Sequence, residues 1–90
     1  MTFRIQRSTR SAATIFAISG ELANDYIEPL KQLLEAENHR PILLDLEEVT
    51  LVGRGAVEFL ARIEGADVGI INCPEYVRTW IEADRQGDRP

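Results

Sequence analysis

The chain reads as an α/β domain, a four-stranded mixed sheet, mostly parallel, with three main helices packed on it. Three observations predict this. The run Ile42, Leu43, Leu44, Asp45, Leu46 places apolar residues at successive rather than alternate positions, the habit of a parallel strand covered on both faces. Three other stretches carry apolar residues at helical spacing, and each is preceded by a strand-like stretch. Gly20, Pro41, Gly65 and Pro74 fall between these stretches, where the chain must turn.

The elements follow in order. Phe3 and Ile5 alternate with Arg4 and Gln6, which predicts a short edge strand with one wet face, and residues 7–11 read as a connection. Residues 14–19 form a second strand, stopped by Gly20, and the first two strands pair as a hairpin. Asn24 or Asp25 caps the first helix, with Asp25 and Glu28 at capping-box spacing and Pro29 early enough to be tolerated. Ile27, Leu30, Leu33 and Leu34 form its inward stripe. The third strand covers residues 42–46, and after a loop the second helix runs from near Gly55 to Glu64. Val57, Leu60, Ala61 and Ile63 face inward there, with Gly65 at the C-cap. Residues 68–71 form the fourth strand. Asn72, Cys73 and Pro74 then open a third helix whose packed face is Val77, Trp80 and Ile81, and residues 84–90 read as a disordered tail. Two crossovers stepping in one direction cover one face of the sheet. The other face, apolar at Phe16, Leu43 and Ile70 or their neighbours, needs the third helix or another chain, so a homo-oligomer is expected.

Ninety residues make one domain that buries only about 60 to 65% of its unfolded surface, leaving little room for a deep catalytic cavity. With 44% hydrophobic and 28% charged residues the chain is globular rather than disordered. A net charge of -5 argues against a nucleic-acid partner, and no apolar stretch approaches the roughly 20 residues of a membrane span. The single cysteine, Cys73, cannot form an internal disulfide, and a cytoplasmic location is expected.

The chemistry these residues offer is binding. Gly53 and Gly55 flank Arg54 at the start of the second helix, where free N–H groups and a cation could dock a carboxylate or phosphate of a partner. The plainer reading has Arg54 solvated and the glycines shaping the loop. The expected contact surface is Thr50, Val52, Gly53, Arg54, Gly55, Val57 and Glu58. Asp45 is a candidate ligand or, by preference, an anchor for nearby loop amides. Cys73 at a helix start could be a reactive thiol, with a buried inert cysteine as the better match to its setting. His39 stands alone, without the partners of a metal site or a triad, and Glu47 and Glu48 read as a solvated turn. Tyr76 and Trp80 read as core and rim. No metal, cofactor or catalytic group is expected.

Residues 14–22, ending Ser19-Gly20-Glu21-Leu22, the run at 42–46 followed by Val49 and Thr50, and residues 66–81 with Asn72-Cys73-Pro74 at the junction together resemble the STAS domain. This is the SpoIIAA-like fold of bacterial anti-sigma factor antagonists. The resemblance implies a non-enzymatic protein-interaction module whose partner is an anti-sigma factor or a GHKL-type serine kinase. In that family an Asp-Ser-Ser-Gly sequence carries the phosphorylated serine. Here the matching positions are Gly53, Arg54, Gly55 and Ala56, and no serine follows Ser19. The phosphoswitch is therefore lost at its usual place, and Thr50 is the one hydroxyl near the loop that could substitute. Two other classes stay open: a self-associating structural subunit of a regulatory assembly, and a monothiol redox protein using Cys73.

Overall fold

Strand β1 (Phe3–Thr9) pairs antiparallel with β2 (Thr14–Leu22), and β2, β3 (Ile42–Val52) and β4 (Val68–Ile71) run parallel, in the spatial order β1-β2-β3-β4. Helix α1 (Ile27–Ala36) links β2 to β3, α2 (Arg54–Ile63) links β3 to β4, and α3 (Glu75–Gly87) follows β4. The structure is a computed structural model and describes residues 3–65 and 67–87. The hairpin between β1 and β2 closes where Arg10 and Ala13 exchange backbone hydrogen bonds, so β1 takes in residues 7–9, expected as connection.

All three helices lie on one face of the sheet. Leu30 and Leu34 of α1, Ala56, Val57, Phe59 and Leu60 of α2, and Val77 and Ile81 of α3 share one buried cluster with Phe16, Ile18, Leu44 and Leu46. Each of the Val, Leu, Ile and Phe side chains taken out of water contributes about 1.5 to 3 kcal/mol, which makes this cluster the main source of stability. Phe16, Leu44 and Ile70 stand in one row on this helix-covered side. Of the residues expected on the second face, Leu43 lies there, and the neighbours Ile15 and Ile71 take the places of Phe16 and Ile70. Ile15, Leu43 and Gly69 form the neighbouring row on the opposite side, which carries no helix, and α3 packs against α2 instead of covering it.

Strand β3 runs six residues past its expected end at Leu46, to Val52. Its pairing with β2 shifts by one residue between Ala17 and Ser19 and again between Gly20 and Glu21, two bulges on the β3 side. Each bulge stretches the spacing of inward residues from two to three, so Leu46, Val49 and Val52 all reach the core while Glu47, Glu48, Thr50 and Leu51 stay exposed. Strand β2 likewise passes through Gly20 to Leu22, and Gly20 is in the left-handed region at φ 91.

Three further expectations change. Leu33 is 43% exposed, so the inward stripe of α1 is Ile27, Leu30 and Leu34. Trp80 is 46% exposed and leaves the packed face of α3 to Val77 and Ile81, and Tyr76 at 41% is no core residue. Helix α3 continues to Gly87, so residues 84–87 are helical rather than tail. The packed Val77 and Ile81 anchor that helix, and Glu82 and Ala83 are good helix formers that extend it. Residues 88–90 lie outside the described residues.

Candidate functional site at the end of strand β3

The bulged end of β3 delivers the chain into α2 through Gly53, whose extended backbone makes it the N-cap without a capping side chain. A cap for this helix comes from elsewhere. Asn24, in the single 3-10 turn Asn24–Tyr26 before α1, accepts the Gly55 N–H on Oδ1 at 3.1 Å. The Gly53 N–H donates to the Leu22 carbonyl at 2.9 Å, and the Val57 N–H returns to the Gly53 carbonyl at 3.0 Å. The amides of Gly53 and Gly55, expected to dock an anion, are therefore used inside the molecule. Asn24 was expected to cap its own helix. It instead ties the start of α1 to the start of α2, and Tyr26 at the N-cap of α1 supplies no side-chain bond.

That tie explains the glycine pair. A Cβ on Gly55 would stand 2.7 Å from Asn24 Oδ1 and 3.2 Å from Ile27 Cδ1, and one on Gly53 would stand 3.0 Å from the same oxygen. The position matching the family's serine is closed to any side chain unless Asn24 gives up its hydrogen bond.

The side chains around this turn present a different surface. Val52 and Val57, both expected as contacts, are buried and form the floor of a groove of about 630 Å³ between α2 and α3. Arg54, Glu58, Trp80 and Asp84 wall it. Arg54 is almost fully exposed, with its Nε 3.8 Å from Glu58 Oε2, a one-turn ion pair that offsets a cation at the positive end of a helix. Tyr76 donates its hydroxyl to the Thr50 carbonyl at 3.2 Å and packs edge-on against Trp80 with ring centroids 5.3 Å apart. Leu51, 53% exposed, stands beside Thr50 at the end of the strand. Thr50, Arg54 and Glu58 are thus joined by Tyr76 and Trp80, which sequence reasoning did not assign to the site, while Leu51 lines a separate groove with Glu21, Leu22, Ala23, Asn24 and Asp25. Helical spacing places Trp80 with Val77 and Ile81, and only the crossing of α2 and α3 shows that its ring stays outside. A second groove, about 510 Å³ between α1 and α2, has a rim alternating Glu28, Lys31, Glu35 and Arg62 and so offers no single-signed target.

The remaining candidates are structural. Asp45 Oδ1 accepts the Glu47 N–H at 3.0 Å and the Asn72 Nδ2 amide at 3.2 Å, which holds the first bulge to the left-handed turn at Asn72, φ 53. Cys73 packs against the core, and burial pushes its thiol above the ordinary range, the effect outweighing the nearby Arg78 guanidinium. Arg78 makes a two-pronged pair with Glu64 at 3.0 Å on each prong, and that hydrogen bonding raises its pKa further. His39 donates from Nε2 to the Arg10 carbonyl at 2.9 Å, far from the groove. Glu37, at the same end as His39, takes a two-pronged bond from Arg7 at 2.6 and 3.0 Å and the His39 N–H at 3.0 Å. The Arg7 bond, then the His39 N–H, bring its carboxyl down to about 2.

No family model and no curated protein matches the sequence. Among solved structures the chain is similar to an uncharacterized protein of the DUF3478 family from Shewanella loihica PV-4, described as having a SpoIIAA-like fold. The two are 25% identical, the match covers 97% of this chain and 76% of that one, and the TM-score is 0.50. Among the described residues no helix is long and apolar enough to cross a membrane. With one antiparallel pair, the remaining strands parallel and three helices on the sheet, this chain has a SpoIIAA-like, STAS-type fold.

Proposed function

We propose that this chain is a non-enzymatic protein-interaction module that binds an anti-sigma factor or a GHKL-type serine kinase through the surface at residues 50–58, without a serine phosphoswitch. The observation that carries the reading is the exposed set Arg54, Tyr76 and Trp80 beside the turn into α2. Large aromatic side chains left half in water beside an arginine match the composition of interface anchors. Asn24 fixes that turn by capping α2 across the fold, so the surface is preorganised and loses little freedom on binding. A charge switch at position 55 has no room beside Asn24, which leaves regulation to the abundance or state of the partner. The redox alternative is disfavoured, because a thiol whose pKa is raised by burial supplies little thiolate at neutral pH.

Affinity capture from the native lysate tests this reading. Immobilised wild-type chain should retain a GHKL-type kinase or an anti-sigma factor, and Arg54→Glu should release it. Retention of no protein of that class, or equal retention by Arg54→Glu, would remove the proposal.

A further inference from the structure

We propose that the helix-free face of the sheet is the interface of a homodimer, in which two copies pack face to face about a twofold axis running along β2. On the strands that overlap, the face has an apolar middle: Ile15 and Ala17 of β2 and Leu43 of β3 point away from the helices and are only half-buried in the single chain. Leu43 leans over Gly69, where a Cβ would stand 3.1 Å from its Cδ2, so the middle is flat enough for sheet-on-sheet packing.

The charges flanking this middle identify a second copy as the occupant. Arg4 on β1, Ser19 on β2 and Glu48 on β3 stand in one row, and Gln6, Ala17 and Asp45 in the next. Glu47 and Glu48, between the inward Leu46 and Val49, both lie off the helix side. A matching surface must therefore offer an acid above β1, a base above β3 and apolar groups between. Turning the same face over about β2 supplies this. It lays β1 of one copy over β3 of the other, so Arg4 meets the partner copy's Glu48 twice in one interface, and Gln6 meets the partner copy's Asp45. Strands spaced about 4.8 Å and sheets about 10 Å apart leave these long side chains within reach of each other. Neither Arg4 nor Glu48 makes an ion pair among the described residues, so both are available. The interface ends short of the partner-binding surface, because Leu51 pairs with Glu21, one row beyond the Phe3 end of β1.

The test is sedimentation equilibrium on the full chain from about 1 μM to 1 mM, the range over which a small interface of this kind dissociates. Wild type should move from one chain mass to two. Arg4→Glu and Glu48→Arg should each weaken association about tenfold or more, since each places like charges opposite one another twice. The double variant should return to within about threefold of wild type, a rescue that only direct opposition of the two residues predicts. Both positions are exposed, so the variants should keep the wild-type circular dichroism. A strict monomer at every concentration, a dimer indifferent to the single reversals, or a double variant that stays weak would overturn the proposal. None of these results bears on the capture experiment, which reads a different surface.

Discussion

Gly55 shows how one residue decides what the site cannot be. Its hydrogen atom in place of a side chain lets Asn24 reach the α2 amide, and the two positions form one unit. Asn24→Ala should cost about 0.5 to 2 kcal/mol, the usual loss for a helix cap. Gly55→Ser should cost a similar amount, because the new Cβ displaces the same oxygen. The hydrogen bond can be lost only once, so the double variant should fall short of the sum by about 0.5 kcal/mol or more. Urea midpoints of the four proteins measure this, and simple additivity would contradict it. The sequence showed Asn24 as a helix cap but not which helix, since its target lies 31 residues away and no local spacing encodes such a contact. Asp45 was legible as a loop anchor because a carboxylate at the end of an apolar strand needs donors close by.

Among the elements, β3 was read only in part, and the reason is physical. Its first half is continuous apolar sequence, but the two bulges change the inward spacing from two to three, and the pairs Glu47, Glu48 and Thr50, Leu51 then look like turn and loop. Strand β4, which has no bulge, was read with its true bounds at Val68 and Ile71. Gly20 sits beside the second bulge in the left-handed region, so it reads as a stop while it allows β2 to continue. Gly20→Ala should cost about 1 to 2 kcal/mol, lowering the denaturant midpoint with an unchanged slope. A neutral substitution would show that the backbone there is free to relax. The far end of the sheet is held by Glu37, which joins the hairpin through Arg7 to the connection before β3 through His39. A carboxyl at about 2 in the fold and about 4.5 in the free chain stabilises fully above pH 4.5 and loses that effect as pH falls toward 2. Wild type should therefore be more stable than Glu37→Gln at pH 7, with the gap closing between pH 4.5 and 2. A gap independent of pH would rule out the ion pair as its cause.

At the scale of the molecule, the sequence was most informative about class and order. Four strands, three helices and the pairing of the first two strands follow from periodicity and punctuation, and the loss of the family's serine is visible without any structure. Which side of the sheet each apolar residue serves was not visible, because β2 and β3 are apolar on both sides and either alternation fits. The helices settle it by gathering on the Phe16 side, which leaves Ile15 and Leu43 to the open face. The recognition surface is likewise a product of tertiary structure: β3 contributes Thr50, α2 contributes Arg54 and Glu58, and α3 brings Tyr76 and Trp80 to the same turn. Leu33 on α1 is exposed to a similar extent as Trp80 but lies outside that surface, which makes it the matched control.

The account is tested most directly by titrating the captured regulator with four proteins, wild type, Trp80→Ala, Arg54→Glu and Leu33→Ala, by calorimetry. A buried aromatic anchor or arginine removed from an interface typically costs 2 kcal/mol or more, so Trp80→Ala and Arg54→Glu should each weaken binding by about 30-fold, with Leu33→Ala at the wild-type affinity. Equal affinities for wild type, Trp80→Ala and Arg54→Glu, or a loss confined to Leu33→Ala, would place recognition elsewhere on the molecule and contradict the account.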